Sequence, residues 1–373
     1  MKESKLYLIA PNNAEAGSLE TLPKTDGLRV IKNDELENSN IRFASTDLVC
    51  ITSEASIDLV KQRMNDHNKQ NAISILKDKY EFRKILAEIN PDYQFRKLKF
   101  EDIQSLKIAS KSVLKPAKGC FGTAVKTIDK TSNLVEIAEE IRQELDKNAS
   151  VLSSQVLSEN EFILEDYIEG EEYAVDMFYD EFGHPHIVNI YHHPMPKIDA
   201  YLHMVYYSSK TVFDKVYSRA LSFFKQLNTI LKIKNFAMHS EFRLTDSSLI
   251  PIEINSMRFG GMGLGNMMYY SFGLNPYECF KMGKSPDWNK IWNSETHKES
   301  VYAFFIAYNG RSINKNLYKP NIQKLKKAFT ETLNYALFDY QSQLAFGVFY
   351  LKETSQNLTS LLEIEFNDYF EKI

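Results

Sequence analysis

Three cysteines in 373 residues, Cys50, Cys120 and Cys279, stand far apart with no C-x-x-C spacing. Neither a disulfide framework nor a zinc knuckle can be built from them, and a reducing cytoplasm is the expected compartment. No apolar run approaches the roughly 20 residues of a membrane-spanning helix. The N-terminus, Met1-Lys2-Glu3-Ser4-Lys5, enters a strand too short and too quickly polar to read as a signal peptide. Charge of one sign is missing as well. The 45 Lys and Arg are scattered among 49 Asp and Glu, for a formal net charge of −4, which argues against a nucleic-acid partner. Two phosphate-binding signatures are absent: no G-x-G-x-x-G follows the first strand, and no G-x-x-x-x-G-K-[ST] occurs anywhere. A nucleotide, if one binds, is held without a Walker loop. There are no internal repeats and no low-complexity tract.

What is present is a soluble-type composition too long for one core, which predicts two or three domains. Lys5–Pro11, Leu28–Ile31 and Leu48–Thr52 read as strands. Helical spacing at Ser56–Arg63 and Lys79–Ile89 alternates with them, as in a small parallel α/β domain. Asn90-Pro91-Asp92 breaks the chain there. Ser112–Pro116 and Val125–Ile128 read as a hairpin around a glycine loop, Lys118-Gly119-Cys120-Phe121-Gly122-Thr123. Leu134–Leu145 is an amphipathic helix. Phe162–Ile168 and Tyr173–Tyr179 read as strands, Asp214–Leu231 and Pro276–Met282 as helices, and Pro286–Ser300 as a polar linker. The remainder mixes strands (Val301–Ala307, Ala345–Leu351) with helices (Ile322–Leu333, Leu361–Tyr369), a small α+β tail.

The chemistry concentrates in two alternating stretches, Met238–Leu244, with His239, Glu241 and Arg243 facing one way, and Ile250–Asn255, joined by turn residues Thr245–Ser248. Paired as a hairpin, they can bring Glu241, Glu253 and Asn255 onto one sheet face, with Ile250, Ile252 and Ile254 on the other. Two carboxylates and an amide are an all-oxygen set suited to Mg²⁺. A solvated strand face with unrelated charges is the alternative. Beyond it, Arg258 offers a planar fork for phosphoryl oxygens, and Gly260, Gly261, Gly263 and Gly265 let backbone approach a ligand.

Upstream, Lys115 at a strand end can reach phosphate oxygens, with the N–H groups of the Gly119–Gly122 loop above them. Lys79 opens a helix in Lys77-Asp78-Lys79-Tyr80-Glu81-Phe82-Arg83, where the dipole also favours anions. Either lysine can equally be a surface charge. Glu165-Asp166-Tyr167-Ile168 leaves its sheet with free backbone groups that suit an adenine edge, and Glu172 fits ribose hydroxyls; a β-turn rich in solvated acids is the alternative. His184, His186, His192 and His193 do not have a standard zinc spacing.

In this order the pieces resemble the ATP-grasp superfamily over about residues 5–290, in particular its L-amino-acid ligases and carbamoyl-phosphate-synthase-like carboxylate–amine ligases. The resemblance implies a pre-ATP-grasp parallel α/β domain (1–92) and an ATP-grasp domain (93–290), with a lid at about 110–168 and a catalytic part at about 169–290. A C-terminal α+β domain (291–373) follows. It also implies ATP with Mg²⁺, or Mn²⁺ in its place. Lys79, Lys115, Gly119, Phe121 and Gly122 would contact phosphates, Glu165, Asp166, Tyr167 and Ile168 adenine, and Glu172 ribose. Glu241, Glu253 and Asn255 would ligate the metal, Arg258 and Lys115 would serve catalysis, and His193, Arg258, Gly260 and Gly261 would meet substrate. The implied reaction joins a small carboxylic acid to an amine, amino acids or peptides, in a chain with no nucleic-acid or membrane partner and a homodimer as an allowed assembly. A phosphotransferase or a non-catalytic nucleotide-binding subunit would use the same site. Three departures stand out: Arg258 follows Glu253 by five residues rather than the commoner four, the usual Asp or Glu context of the first metal strand appears as His239-Ser240-Glu241, and the loop at Gly119 has two glycines rather than a run.

Overall fold

A computed structural model describes residues 4–13, 16–118, 123–149, 159–246 and 248–373. The chain opens with β1 (Leu6–Ala10), β2 (Leu28–Lys32), α1 (Asn33–Glu37), β3 (Leu48–Ile51), α2 (Ile57–Arg63), α3 (His67–Lys77) and α4 (Lys79–Ile89). Its three strands form a parallel sheet ordered β2-β1-β3. β1 and β3 are buried along their whole length, as near-continuous apolar runs in a covered parallel sheet must be. Asp78 separates α3 from α4 and caps the latter, accepting from the Tyr80 and Glu81 amides.

Next comes a four-stranded sheet, ordered β4-β7-β5-β6, from β4 (Phe95–Lys99), β5 (Ser112–Pro116), β6 (Lys126–Ile128) and β7 (Glu161–Asp166), with α5 (Leu134–Ala149) across it. The predicted face of α5 is the packed one: Ala138, Ile141 and Leu145 are buried against Leu114, Phe162 and Leu164 in a core of their own.

Eight of the remaining strands, β8 (Glu171–Tyr179), β9 (Pro185–His193), β10 (Val205–Ser209), β11 (Phe236–Leu244), β12 (Leu249–Ser256), β13 (Val301–Tyr308), β15 (Glu331–Leu337) and β16 (Ala345–Glu353), make one sheet, ordered β12-β11-β8-β9-β10-β13-β16-β15. The long helix α6 (Lys210–Leu231) buries Val212, Val216, Phe224 and Leu227 against one face. Helices α7 (Met267–Phe272), α8 (Pro276–Met282) and α9 (Trp288–Trp292) follow β12, and β14 (Tyr318–Pro320) pairs with β17 (Phe370–Lys372) near the C-terminus. No helix among the described residues is long and apolar enough to cross a membrane.

Three stretches differ from the sequence reading. The segment read as a polar linker holds α9, whose Trp288 and Trp292 are buried against Phe213 and Phe272. The helix expected at Ile322–Leu333 stops as α10 (Ile322–Lys326), and Glu331 already starts an edge strand. In place of a helix over Leu361–Tyr369 there is α11 (Ser355–Leu361) and a 3₁₀ turn at Phe366–Tyr369. Trp288 and Trp292 are buried in the first stretch, Leu325 and Phe329 in the second, and Leu361 and Phe366 in the third.

Candidate functional site

The antiparallel register of β11 and β12 pairs Glu241 with Glu253 and His239 with Asn255. Cross-strand partners share a face, so Glu241, Glu253 and Asn255 stand together as the sequence reading required. β8 adds Glu172, opposite Arg243, and Asp176, opposite His239; β9 adds His193, opposite Glu172. One end of the wide sheet thus carries a polar face, while α6 covers the apolar one.

The alignment depends on an irregularity. From Leu244 to Phe242 the partners run Leu249, Ile250, Pro251; then Ile252 is skipped and Glu241 pairs with Glu253. This β-bulge shifts the phase of β12. Ile250 lies on the site face beside Arg243, and Ile254 on the opposite, buried face beside Ser240. The expected common face for Ile250, Ile252 and Ile254 therefore does not form.

Cations crowd one side. Lys79 Nζ lies 3.4 Å from Glu253 Oε1, and the Lys79 amide donates to the Ala117 carbonyl at 2.9 Å, tying α4 to the strand that bears Lys115. Burial raises the Glu253 pKa, but Lys79, Lys77, Lys115 and Arg258 together pull it below the ordinary carboxylate value. Glu241 has weaker help, from His239 (Nε2 to Oε1 3.8 Å) and His193. Burial, Glu253 and Glu172 push its carboxyl up to about 7. Glu54, after β3, bridges Lys77 and Arg258, the latter at 3.9 Å. Arg258 Nε is buried and has no hydrogen-bond partner. The preceding Met257 adopts a left-handed conformation (φ 59°).

Lys115 and Glu165 form a buried ion pair, completed by Arg83, whose Nε lies 2.6 Å from Glu165 Oε2. Burial holds the Lys115 ammonium down to about 8 despite the carboxylate beside it. Glu165 goes the other way: burial opposes its charge, yet Arg83 and Lys115 hold it at about 2. The Glu165 side chain is thus taken up by cations. Asp166 accepts from the Gln94 amide at 3.0 Å, the Tyr167 ring lies under the Lys111 ammonium at 3.8 Å, and half-buried Ile168 follows the strand end.

Glu172 binds His193 Nδ1 (2.7 Å) and Arg243 Nη2 (2.7 Å). His193 Nε2 faces the Leu202 carbonyl at 2.9 Å. Both its partners only accept, so the ring satisfies both as an imidazolium. Its pKa is accordingly raised: Glu172 and Leu202 outweigh burial. The ring stacks on Tyr206 with centroids 4.2 Å apart. Gly260 and Gly261 enter a tight turn whose Gly260 carbonyl accepts from the Gly265 amide. Gly119, Phe121 and Gly122 lie outside the described residues, as does Cys120.

Sequence reasoning missed Arg83, Glu54, His239 and Asp176. His239 Nδ1 donates to the fully buried Asp176 at 2.7 Å, and Tyr191 donates to the other Asp176 oxygen at 2.8 Å. The period-two pattern already put His239 and Glu241 on one face; Asp176, 63 residues away in sequence, gave no local signal. The donor set fits a hard divalent ion: two carboxylates and an amide oxygen on one face, one carboxylate whose charge burial and like charges disfavour, and a guanidinium nitrogen beside them without a partner.

The ATP-grasp domain family matches the chain over residues 108–266. Among solved structures the fold is similar to that of L-amino acid ligase from Bacillus licheniformis (15% identity, TM-score 0.66, covering 100% of this chain and 99% of that one). It is also similar to N5-carboxyaminoimidazole ribonucleotide synthetase from Thermotoga maritima (14%, 0.58, 99% of each). A third likeness is to biotin carboxylase from Campylobacter jejuni (11%, 0.59, 95% and 83%). No curated protein sequence matches.

Proposed function

Because the chain carries an ATP-grasp domain within an ATP-grasp fold, we propose that it is an ATP-dependent carboxylate–amine ligase. The observation that carries this reading is the pairing of Glu241 with Glu253, beside Asn255 and among Lys79, Lys115 and Arg258. Glu241, Glu253 and Asn255 would hold Mg²⁺, which supplies charge neutralisation at the phosphates. Lys79 and Lys115 would meet phosphate oxygens, the 165–168 stretch adenine, and Glu172 ribose. Arg258, with its unpartnered Nε, would meet the transferred phosphoryl group or the acid.

In the proposed reaction a substrate carboxylate oxygen attacks the γ-phosphorus of ATP and ADP departs. The amine nitrogen then attacks the acyl carbon, orthophosphate leaves, and one amine proton is released. No side-chain nucleophile is needed, in keeping with Cys50 and Cys279, both buried free thiols whose pKa burial raises. Positioning and charge neutralisation are the protein's contribution. His193, Gly260 and Gly261 border the place where acid or amine would lie, and amino acids or short peptides are the proposed substrates.

Hydroxylamine trapping tests this. Incubated with MgATP, hydroxylamine and a panel of amino acids, the protein should form a hydroxamate with matching ADP and phosphate for its true acid. ADP release with a phosphorylated hydroxyl product and no hydroxamate would replace the ligase reading with a phosphotransferase.

A further inference from the structure

Arg83 is 1% exposed, a rare position for a charged side chain. Its guanidinium joins three elements. Nε and Nη2 reach the two Glu165 oxygens on β7 at 2.6 and 3.2 Å, Nη1 donates to the Pro251 carbonyl at 2.8 Å, and Nη2 donates to the Ile252 carbonyl at 3.1 Å. The last two contacts are unusual. Successive carbonyls of a regular strand point to opposite edges, so one side chain does not ordinarily take both. Here Ile252 is the bulged residue, and the bulge turns both carbonyls outward from β12, the edge strand of the eight-stranded sheet.

The bulge decides where the carboxylates stand. With the register of Phe242–Pro251 continued unbroken, Glu241 would pair with Ile252 and Glu253 with Ser240, on the face turned away from Glu241. The one-residue slip at Ile252 reverses that for Glu253 and Asn255 together. Edge strands slip most easily, and the freed carbonyls would be unsatisfied in this buried place without a donor.

We infer that Arg83 is a positioning residue: it locks the bulge at Ile252 that brings Glu253 and Asn255 onto the face of Glu241, and through Glu165 it fixes Lys115 relative to them. The inference rests on the reading of Glu241, Glu253 and Asn255 as metal ligands. Arg83 itself touches no reacting group. It works by holding the lid strand and the metal-bearing strand on one guanidinium.

The test is Mn²⁺ binding in the presence of ADP, followed by the electron paramagnetic resonance of the free ion, for wild type and Arg83→Lys. The lysine keeps a charge beside Glu165 but cannot span both carbonyls. Arg83→Lys should keep its circular dichroism spectrum and lose about 10- to 100-fold in Mn²⁺ affinity, the usual effect of removing a group that orients metal ligands. ADP affinity without metal should change far less, a split that a general loosening of the fold would not produce. A folded Arg83→Lys that binds Mn²⁺ like wild type overturns the inference. If that variant does not fold, the double variant Arg83→Met/Glu165→Gln carries the same measurement, since replacing a buried ion pair with neutral groups is often tolerated; undiminished Mn²⁺ affinity there overturns it too. Wild type failing to bind Mn²⁺ at all would remove the metal site itself, and the inference with it.

Discussion

Replacing Glu165 with Gln removes the only carboxylate within the Arg83–Lys115–Glu165 triad and leaves two buried cations facing an amide. The carboxyl sits at about 2 in the fold against an ordinary 4.5. That difference corresponds to about 3 kcal/mol of stability at neutral pH. Breaking a buried pair by deleting one partner costs about 3–5 kcal/mol by an independent route. Because the folded-state pKa is depressed, this stability is fully present above 4.5 and is lost as pH falls through 2. Urea unfolding followed by circular dichroism should therefore show Glu165→Gln less stable than wild type by about 3 kcal/mol at pH 7, with the gap constant to pH 5 and narrowing below 4.5. Lys115 gives a second readout. Glu165 supports its charge, so the variant's Lys115 should lose its proton below the wild-type value of about 8, and kcat/KM for ATP should decline at lower pH than in wild type. Equal stability at pH 7, or a gap undiminished at pH 3, would refute the electrostatic account of the triad.

Glu253→Ala should abolish ATP turnover while leaving the circular dichroism spectrum intact; retained ATP-dependent activity counts against the metal assignment. Arg258→Ala should lower kcat by roughly 10²–10³-fold, the usual effect of losing one donor at developing charge, and a change in KM alone would assign Arg258 to ground-state binding. Glu241→Gln removes a like-charged cross-strand neighbour of Glu253, so the metal-free protein should gain a few tenths to about 1 kcal/mol in thermal unfolding. The same variant should no longer be stabilised by Mg²⁺ with ADP, and stabilisation equal to wild type would contradict its role. Gly263→Ala should destabilise the fold by at least about 1 kcal/mol, because φ is +91° and the new Cβ would lie 2.6 Å from Tyr350 Oη and 2.7 Å from Thr21 Oγ1; an unchanged melting temperature would show that the turn relaxes freely.

Where function leaves a local mark, the sequence was legible. Alternation over Met238–Leu244 put His239, Glu241 and Arg243 on one face, and the structure agrees. Ser112–Pro116 and Pro276–Met282 have the boundaries read from sequence. Asp78 before Lys79 marked the start of α4, an N-cap signal. The bulge was not read, though its sign was present: Pro251 cannot donate to a ladder and belongs at an edge or a bulge. Nor was Arg83 read as buried, because in Lys77–Arg83 it looks like one more charge on a solvated helix. Only the packing of β7 and β12 against α4 makes it a core residue. β15 and α9 escaped notice for the same reason: their partners, β16 and the Phe213–Phe272 aromatic group, are distant in sequence.

The site is arranged against its own stability. Two carboxylates directly opposite on neighbouring strands repel, and a third, Glu172, raises the Glu241 pKa further. The fold does not spread the available cations evenly over this group. Lys77, Lys79, Lys115 and Arg258 all act on Glu253, while Arg243 and His193 are engaged by Glu172. Glu241 is left as the carboxylate whose charge nothing nearby compensates fully. A purely structural sheet would gain by replacing it with a neutral side chain. Its persistence makes physical sense if a divalent ion completes the balance, with the four cations around Glu253 facing the anion that arrives with it. Incompletely compensated negative charge at Glu241, positive charge from Lys79, Lys115 and Arg258 around Glu253, and a guanidinium nitrogen without a partner beside them are together what a metal-bound polyphosphate requires.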